Sequence, residues 1–73
     1  MKEYLYYIEL YNPLDDITIC QSKDFESYLD AQEFYNQLEL FDKRMVKTLS
    51  AYVYDEKGHY LKTEQFKSEG GRD

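Results

Sequence analysis

Apolar and polar side chains alternate along residues 3–11, which predicts a β-strand. One side of this strand would face a core and carries Tyr4, Tyr6, Ile8 and Leu10. The other side carries Glu3, Leu5, Tyr7, Glu9 and Tyr11. Residues 12–16, NPLDD, favour a turn. Residues 17–22 then predict a second strand with Ile17 and Ile19 facing inward, so the chain should begin with a β-hairpin.

The clearest periodic pattern is helical. Apolar residues recur at spacings of three and four, as expected for one face of a helix: Tyr28, Ala31, Phe34, Tyr35, Leu38 and Phe41. Ser27 followed by Asp30 resembles a capping box, and Lys43 with Arg44 would suit the last turn. We therefore predict a helix over residues 28–42. Its buried face should place Phe34, Leu38 and Phe41 against Ile8, Leu10 and Val53.

A second hairpin is predicted in the C-terminal half, where β-forming residues flank the turn at 55–58. The element order is then β-β-α-β-β, which indicates an α+β fold. We expect one compact domain over residues 1–67, with a four-stranded, mostly antiparallel sheet and the helix packed on one face. Residues 68–73 contain two glycines and no apolar side chain, and we expect them to form a flexible C-terminal tail.

The chain of 73 residues is the size of one small domain. It has no apolar run of the ~18–20 residues that a membrane span needs and no signal-peptide pattern, so we expect a cytoplasmic protein that does not bind membranes. Cys20 is the only cysteine and His59 the only histidine. A zinc cluster is therefore not expected, nor is any other cofactor or metal. Cys20 should be buried as a small apolar residue.

No pattern of catalytic residues is evident. Asp15 and Asp16 are adjacent acids, but they fall in a predicted turn, where aspartate is common for local reasons. His59 is not accompanied by a recognisable nucleophile motif, and there is no phosphate-binding glycine loop. We predict that the protein is not an enzyme. An enzyme or small-ligand protein would require polar groups that converge in the fold.

Charge is distributed unevenly along the chain. The formal net charge is −6, but residues 1–42 carry ten acidic and two basic side chains, whereas residues 43–73 carry five acidic and seven basic ones. An anionic surface of this kind repels nucleic acid and anionic lipid and attracts basic proteins. We therefore expect a protein partner and no direct contact with nucleic acid.

The predicted helix and the residues that lead into it carry an acidic stripe. Glu26, Asp30 and Glu33 recur at helical spacing with no basic residue between them, and the stripe rises about 6 Å every four residues. Like charges at this spacing slightly destabilise a helix, which favours a function for them. Charged helix surfaces are also commonly just solvated, and this alternative stays open.

The candidate partner-binding residues combine the stripe with nearby acids and two tyrosines: Glu3, Tyr7, Glu9, Tyr11, Asp15, Asp16, Asp24, Glu26, Asp30 and Glu33. The spacing of the carboxylates approximates that of phosphates along a nucleic-acid strand. Tyrosines add contact area at protein interfaces. The combination predicts a protein that mimics DNA.

The segments EYLYYIELYNPLDD and DFESYLDAQEFYNQLE, together with the size and element order, resemble the small acidic host-takeover and anti-defence proteins of bacteriophages. Several of those proteins imitate DNA. The resemblance implies a non-enzymatic inhibitor that acts in the bacterial host cytoplasm. It would occupy the basic surface of a DNA-binding protein, with the nucleoid-associated protein HU as first choice and a defence nuclease as another. The slightly basic second half departs from this pattern, so only one side would act as the mimic.

A second hypothesis is a protein-interaction module whose acidic surface serves solubility. Such a module could be a homodimer joined through an edge strand. The two hypotheses differ in their response to salt, because screening weakens binding between opposite charges.

Overall fold

The structure, a computed structural model, describes residues 2–40 and 42–71. Its elements follow in the order β1 (Glu3–Asn12), β2 (Ile17–Gln21), α1 (Tyr28–Gln37), β3 (Val46–Tyr54) and β4 (Tyr60–Gly70). The strands form one antiparallel sheet in the order β2-β1-β3-β4, and α1 packs against β1 and β3. This confirms the predicted α+β class and the β-β-α-β-β order.

The core lies between α1 and the two central strands. Ile8 of β1 pairs with Leu49 of β3, and both side chains are almost fully buried. They pack with Ala31 and Tyr35 of α1. Aromatic and aliphatic residues surround this cluster and are partly buried: Tyr6, Phe25, Tyr28 and Leu38. The predicted inner side of the first strand is therefore the side that faces the helix.

Helix α1 begins as predicted but ends earlier. The Ser27 side chain accepts a 3.4 Å hydrogen bond from the backbone N–H of Asp30 and caps the N-terminus. The helix stops at Gln37, not at residue 42, and Leu38 has an extended backbone. Its C-terminal carbonyls receive hydrogen bonds from Lys47 of β3, a distant residue that the local pattern did not indicate. Lys43 and Arg44 therefore lie in the turn after the helix and not in its last turn.

The predicted buried face of the helix was partly wrong. Phe34 is 39% exposed and touches the ring of Phe25 at 5.6 Å between centroids, whereas Ala31 and Tyr35 point into the core. The small side chain of Ala31 lets the helix backbone approach the sheet. Leu38 does pack against the core, as expected. Phe41 lies outside the described residues.

The side chains of β2 do not face inward as predicted. Ile17 and Ile19 are 53% and 42% exposed, and the thiol of Cys20 is also exposed. The physical reason is that α1 packs on β1 and β3, so the outer strand next to β1 has no cover. The predictions of inward isoleucines and a buried cysteine were therefore wrong.

The last strand extends beyond the predicted end of the domain at residue 67. Glu69 pairs with Lys47 and Gly70 with Val46, so the predicted flexible tail does not begin at residue 68. Gly70 has a φ of 98°, and a Cβ there would collide with the carbonyl oxygen of Met45. Glycine thus permits a close backbone approach at this point. Arg72 and Asp73 lie outside the described residues.

Candidate functional site

The predicted partner-binding residues lie on different parts of the surface. Four acids flank or lie on α1, and we call them the helix ridge: Asp24, Glu26, Asp30 and Glu33. Four residues point to the sheet face opposite α1, which we call the open face: Glu3, Tyr7, Glu9 and Tyr11. The other two, Asp15 and Asp16, lie in the β1–β2 turn. One rigid partner surface cannot cover the helix ridge and the open face together, because the sheet separates them.

The helix ridge is a solvent-exposed row of carboxylates. Asp24, Glu26, Asp30 and Glu33 are all exposed, and within residues 2–40 and 42–71 no lysine or arginine forms a salt bridge with any of them. At helical spacing, residues 30 and 33 are surface neighbours. Lys23 borders the same groove as these two residues and precedes Asp24 in the sequence, so the ridge has a cation at its edge.

Glu3 lies close to one end of the helix ridge. Its side chain lines a second surface groove together with Glu26, Tyr4 and Leu5. This proximity arises because residue 25 pairs with Tyr6 in an isolated bridge, which brings the lead-in of the helix beside the start of β1. Glu3, the first residue of β1, therefore borders the ridge, although the rest of the open face lies on the other side of the sheet.

Asp15 and Asp16 are engaged within their own turn. Asn12 Nδ2 donates a 3.1 Å hydrogen bond to Asp15, and the Tyr11 hydroxyl donates a hydrogen bond to Asp16. Asp16 has a φ of 55°, a left-handed conformation that aspartate tolerates in turns. The bond to Asp16 also raises the pKa of Tyr11. These contacts favour a structural role for both aspartates.

Tyrosines cover much of the open face. Tyr7 stacks on Tyr52 with ring centroids 4.6 Å apart, and Tyr60 contacts Tyr52 and Tyr54 edge-on at 6.4 and 6.1 Å. Tyr7 is only 8% exposed and offers a partner little area. The sequence prediction had placed Tyr7 at the interface and had missed the other three rings. Strand pairing identifies them, since Tyr52 and Tyr54 oppose Leu5 and Glu3 on the same face.

Burial raises the pKa of the Tyr7 hydroxyl to about 12, and the proximity of Tyr52 and Glu9 adds to this shift. A phenolate at this position would lose hydration and would be repelled by the Glu9 carboxylate. Tyr7 therefore remains protonated well above neutral pH and acts as a hydrogen-bonding, neutral part of the open face.

A groove of about 500 Å³, which we call the sheet groove, crosses the open face. It is lined by residues of β1, β3 and β4: Tyr7, Glu9, Tyr11, Val46, Thr48, Ser50, Thr63, Gln65 and Ser68. Glu9 is the one carboxylate among these nine residues, and none of them is basic. The sheet groove is thus hydroxyl-rich, aromatic and negatively charged.

Two cations of the second half have acidic partners. The Lys47 ammonium is buried, forms a salt bridge of 3.0 Å with Glu69 and lies 4.2 Å from the centre of the Tyr35 ring. Arg44 forms a salt bridge of 2.8 Å with Asp42 and lowers the pKa of that carboxyl to about 2. The basic character of the second half is therefore weaker at the surface than its residue count indicates.

His59 is exposed at the β3–β4 turn, and its Nδ1 lies 3.2 Å from Asp55 Oδ2. Among the residues that the structure describes, no three histidine, cysteine or acidic side chains are grouped so that they could hold a metal ion. Nor is any helix in the described ranges long and apolar enough to cross a membrane.

Comparison of the chain with protein-family models, with curated proteins and with solved structures finds no match.

Proposed function

We propose that this protein is a non-enzymatic inhibitor whose helix ridge occupies the basic nucleic-acid-binding surface of a DNA-binding protein, with an HU-like protein as first choice. One observation carries the proposal: Asp30 and Glu33 on α1, and Glu26 in the segment that leads into it, are exposed, and no salt bridge within the described part of the chain neutralises them. The ridge therefore presents several negative charges to an incoming partner.

Each carboxylate of the ridge would take the place of a phosphate. Asp30 and Glu33 of α1 are three residues apart, which is about 4.5 Å along the helix axis, and phosphates on one nucleic-acid strand follow each other every ~3.4 Å of axis rise on a winding path. Lysine and arginine side chains that bind phosphate also bind carboxylate. Opposite charges on the two proteins would accelerate their encounter, and dissolved salt would slow it.

The ridge is a better candidate than the full set of predicted residues. Strand β1 runs from Glu3 to Asn12, a length of about 30 Å, and the turn that contains Asp15 and Asp16 lies at the far end of it from Glu3. Asp15 and Asp16 therefore lie at the other end of β1 from Glu3 and the ridge residue Glu26 that it adjoins. The proposed interface consists of Asp24, Glu26, Asp30 and Glu33, with Glu3 at its border.

A homodimer that forms through β2 is the second candidate. All five residues of this edge strand are exposed, including Ile17 and Ile19. An uncovered edge with apolar side chains can pair with the same edge of another copy. In that case the acids would serve solubility, and association would depend little on salt.

The proposal is tested by competition between this protein and DNA. Labelled duplex DNA is bound to purified HU-like protein, and the chain is added while fluorescence anisotropy reports the bound DNA. We expect displacement at low salt that weakens steeply between about 50 and 200 mM salt. A parallel capture from bacterial lysate at low salt covers other targets of the same class. Absence of displacement, together with capture of no basic nucleic-acid-binding protein, contradicts the proposal.

A further inference from the structure

The sheet groove lies on the open face, on the side of the sheet away from α1 and the helix ridge. It extends from β1 across β3 to β4, and the distance between β1 and β4 across the sheet is about 10 Å. Its floor consists of strand residues whose backbones are held by pairing on both sides in β1 and β3. A site built in this way is more rigid than one built on loops.

The charge of the groove is not balanced by the protein itself. Glu9 is half-buried, and the residues directly opposite it in the neighbouring strands are Thr48 and Gln21, both neutral. In the described ranges, no lysine or arginine forms a salt bridge with Glu9. A half-buried carboxylate of this kind is stabilised when a cation arrives.

The other polar groups of the groove can accept hydrogen bonds, and Tyr7 and Tyr11 provide aromatic surface. Thr48, Thr63 and Ser68 contribute hydroxyl oxygens, and Gln65 contributes an amide oxygen. The Tyr11 hydroxyl is already committed to Asp16, which fixes the ring at one end of the groove. Phosphate and other anions are disfavoured, because the lining contains no cationic side chain and already includes the Glu9 carboxylate.

We propose that the sheet groove binds the guanidinium group of an arginine side chain presented by a protein partner. The Glu9 carboxylate accepts hydrogen bonds from the guanidinium, the hydroxyls of Thr48 and Thr63 accept others, and the ring of Tyr11 provides a cation–π contact. Arginine fits better than lysine, because its planar group has five donors and stacks on aromatic rings, whereas an ammonium is a compact point charge.

This site is independent of the helix ridge. The two surfaces share no residue, and they lie on opposite sides of the sheet. A variant that removes ridge charges therefore leaves the sheet groove intact, and a change at Glu9 leaves the ridge intact. The two proposals can fail separately.

The experiment is an NMR titration of the isotope-labelled chain with a short glycine-flanked arginine peptide, and with the same peptide carrying lysine. We expect the arginine peptide at millimolar concentration to shift the amide signals of Glu9, Thr48 and Thr63, and the lysine peptide to bind several-fold more weakly. Glu9→Gln should weaken arginine binding about tenfold or more, because it removes the charge and keeps the shape. Thr63→Val, at an exposed position, should weaken it less.

Glu39→Gln is the matched control, since it removes one exposed carboxylate outside the groove and should leave the affinity unchanged. Three results would overturn the proposal. The first is that no groove amide shifts. The second is that Glu9→Gln and Glu39→Gln weaken binding equally, which would show a general charge effect. The third is that the groove amides shift with protein concentration alone, which would assign the open face to a second copy of the chain.

Discussion

Lys47 of β3 caps the end of α1 by donating a 2.8 Å hydrogen bond from Nζ to the carbonyl oxygen of Leu38. The same ammonium donates a 2.8 Å hydrogen bond to the carbonyl oxygen of Tyr35. Carbonyls at a helix C-terminus lack partners inside the helix and carry partial negative charge. A single buried cation from the sheet therefore satisfies two of them and fixes the point at which the helix stops.

Replacing Lys47 with methionine should destabilise the protein. The substitution keeps the apolar stem but leaves two carbonyls without their donor, and a hydrogen bond to a charged group contributes about 1.5–3 kcal/mol. We expect a loss of at least this size in the free energy of unfolding, measured by denaturant titration. Glu69→Gln is the control: its carboxylate is 59% exposed, and the loss should stay below about 1 kcal/mol. Equal losses in the two variants would show that the salt bridge, and not the cap, matters.

Leu49→Ala and Phe34→Ala should differ strongly in stability. Leu49 is fully buried beneath α1, so its truncation leaves a cavity and should cost about 2–5 kcal/mol. Phe34 is 39% exposed and packs mainly on Phe25, so its truncation should cost about 1 kcal/mol. Midpoints of urea unfolding measure both. A larger loss for Phe34 than for Leu49 would mean that the helix is rotated about its axis relative to the structure.

Alkaline pH should destabilise the protein through Tyr7. Its pKa in the folded state, about 12, lies above the ordinary value of 10.0, so the folded protein holds this proton more tightly than the unfolded chain does. By linkage, the stabilisation from this group is complete below about pH 10 and is lost as the pH rises towards 12. The unfolding midpoint measured across this range should fall less steeply in Tyr7→Phe than in the wild type. An identical pH profile for Tyr7→Phe and the wild type would contradict the assignment.

Reversing the charges of the helix ridge should abolish binding to the basic partner. In the variant Glu26→Lys, Asp30→Lys, Glu33→Lys, three attractive contacts become repulsive, and like charges at an interface cost several kcal/mol. The fold should persist because all three side chains are exposed. We expect DNA displacement to disappear while the circular dichroism spectrum is retained, apart from a small loss of stability at the helix N-terminus.

The control for this reversal must change the net charge equally at a different place. Glu39→Lys, Glu56→Lys, Glu64→Lys does so with acids outside the ridge. Asp55 is unsuitable, because it accepts hydrogen bonds from the backbone N–H groups of Lys57 and His59 and organises the β3–β4 turn. Equal weakening in both triple variants would show that only total charge matters, and no weakening in either would show that the ridge is solvated surface.

Local patterns in the sequence predicted the elements of the fold well. Alternation identified β1, and Ser27 with Asp30 marked the start of α1, because these signals depend on neighbouring residues alone. The end of the helix could not be predicted in the same way, since it depends on Lys47, which reaches α1 only after the sheet has formed. The exposure of Ile17 and Ile19 likewise depends on where α1 lies across the sheet.

Prediction of the candidate site was limited because contacts between residues distant in the sequence cannot be inferred from local patterns. Helical periodicity was sufficient to find Asp30 and Glu33, whereas Glu26 precedes the Ser27 N-cap and lies before the helix begins. Alternation along the first strand correctly placed Glu9 on the side away from the core. No local pattern could show that Tyr7 is buried beneath Tyr52, because that contact arises from strand pairing. Lys23 adjoins Asp24 in the sequence, but only the fold shows that it borders the same groove as Asp30 and Glu33.

The strand order β2-β1-β3-β4 also has a consequence for the timing of folding. Strand β1 pairs along almost its whole length with β3, from Glu3 opposite Tyr54 to Tyr11 opposite Val46. Helix α1 lies between these two strands in the sequence, and it has no complete surface to pack on until both strands are present. Pairings between distant parts of a chain form slowly, because a long loop must first close. During synthesis, the segments of β1, β2 and α1 emerge from the ribosome before that of β3. The core cannot assemble until β3 has emerged, so the apolar residues of β1 stay accessible to chaperones and to aggregation in the meantime.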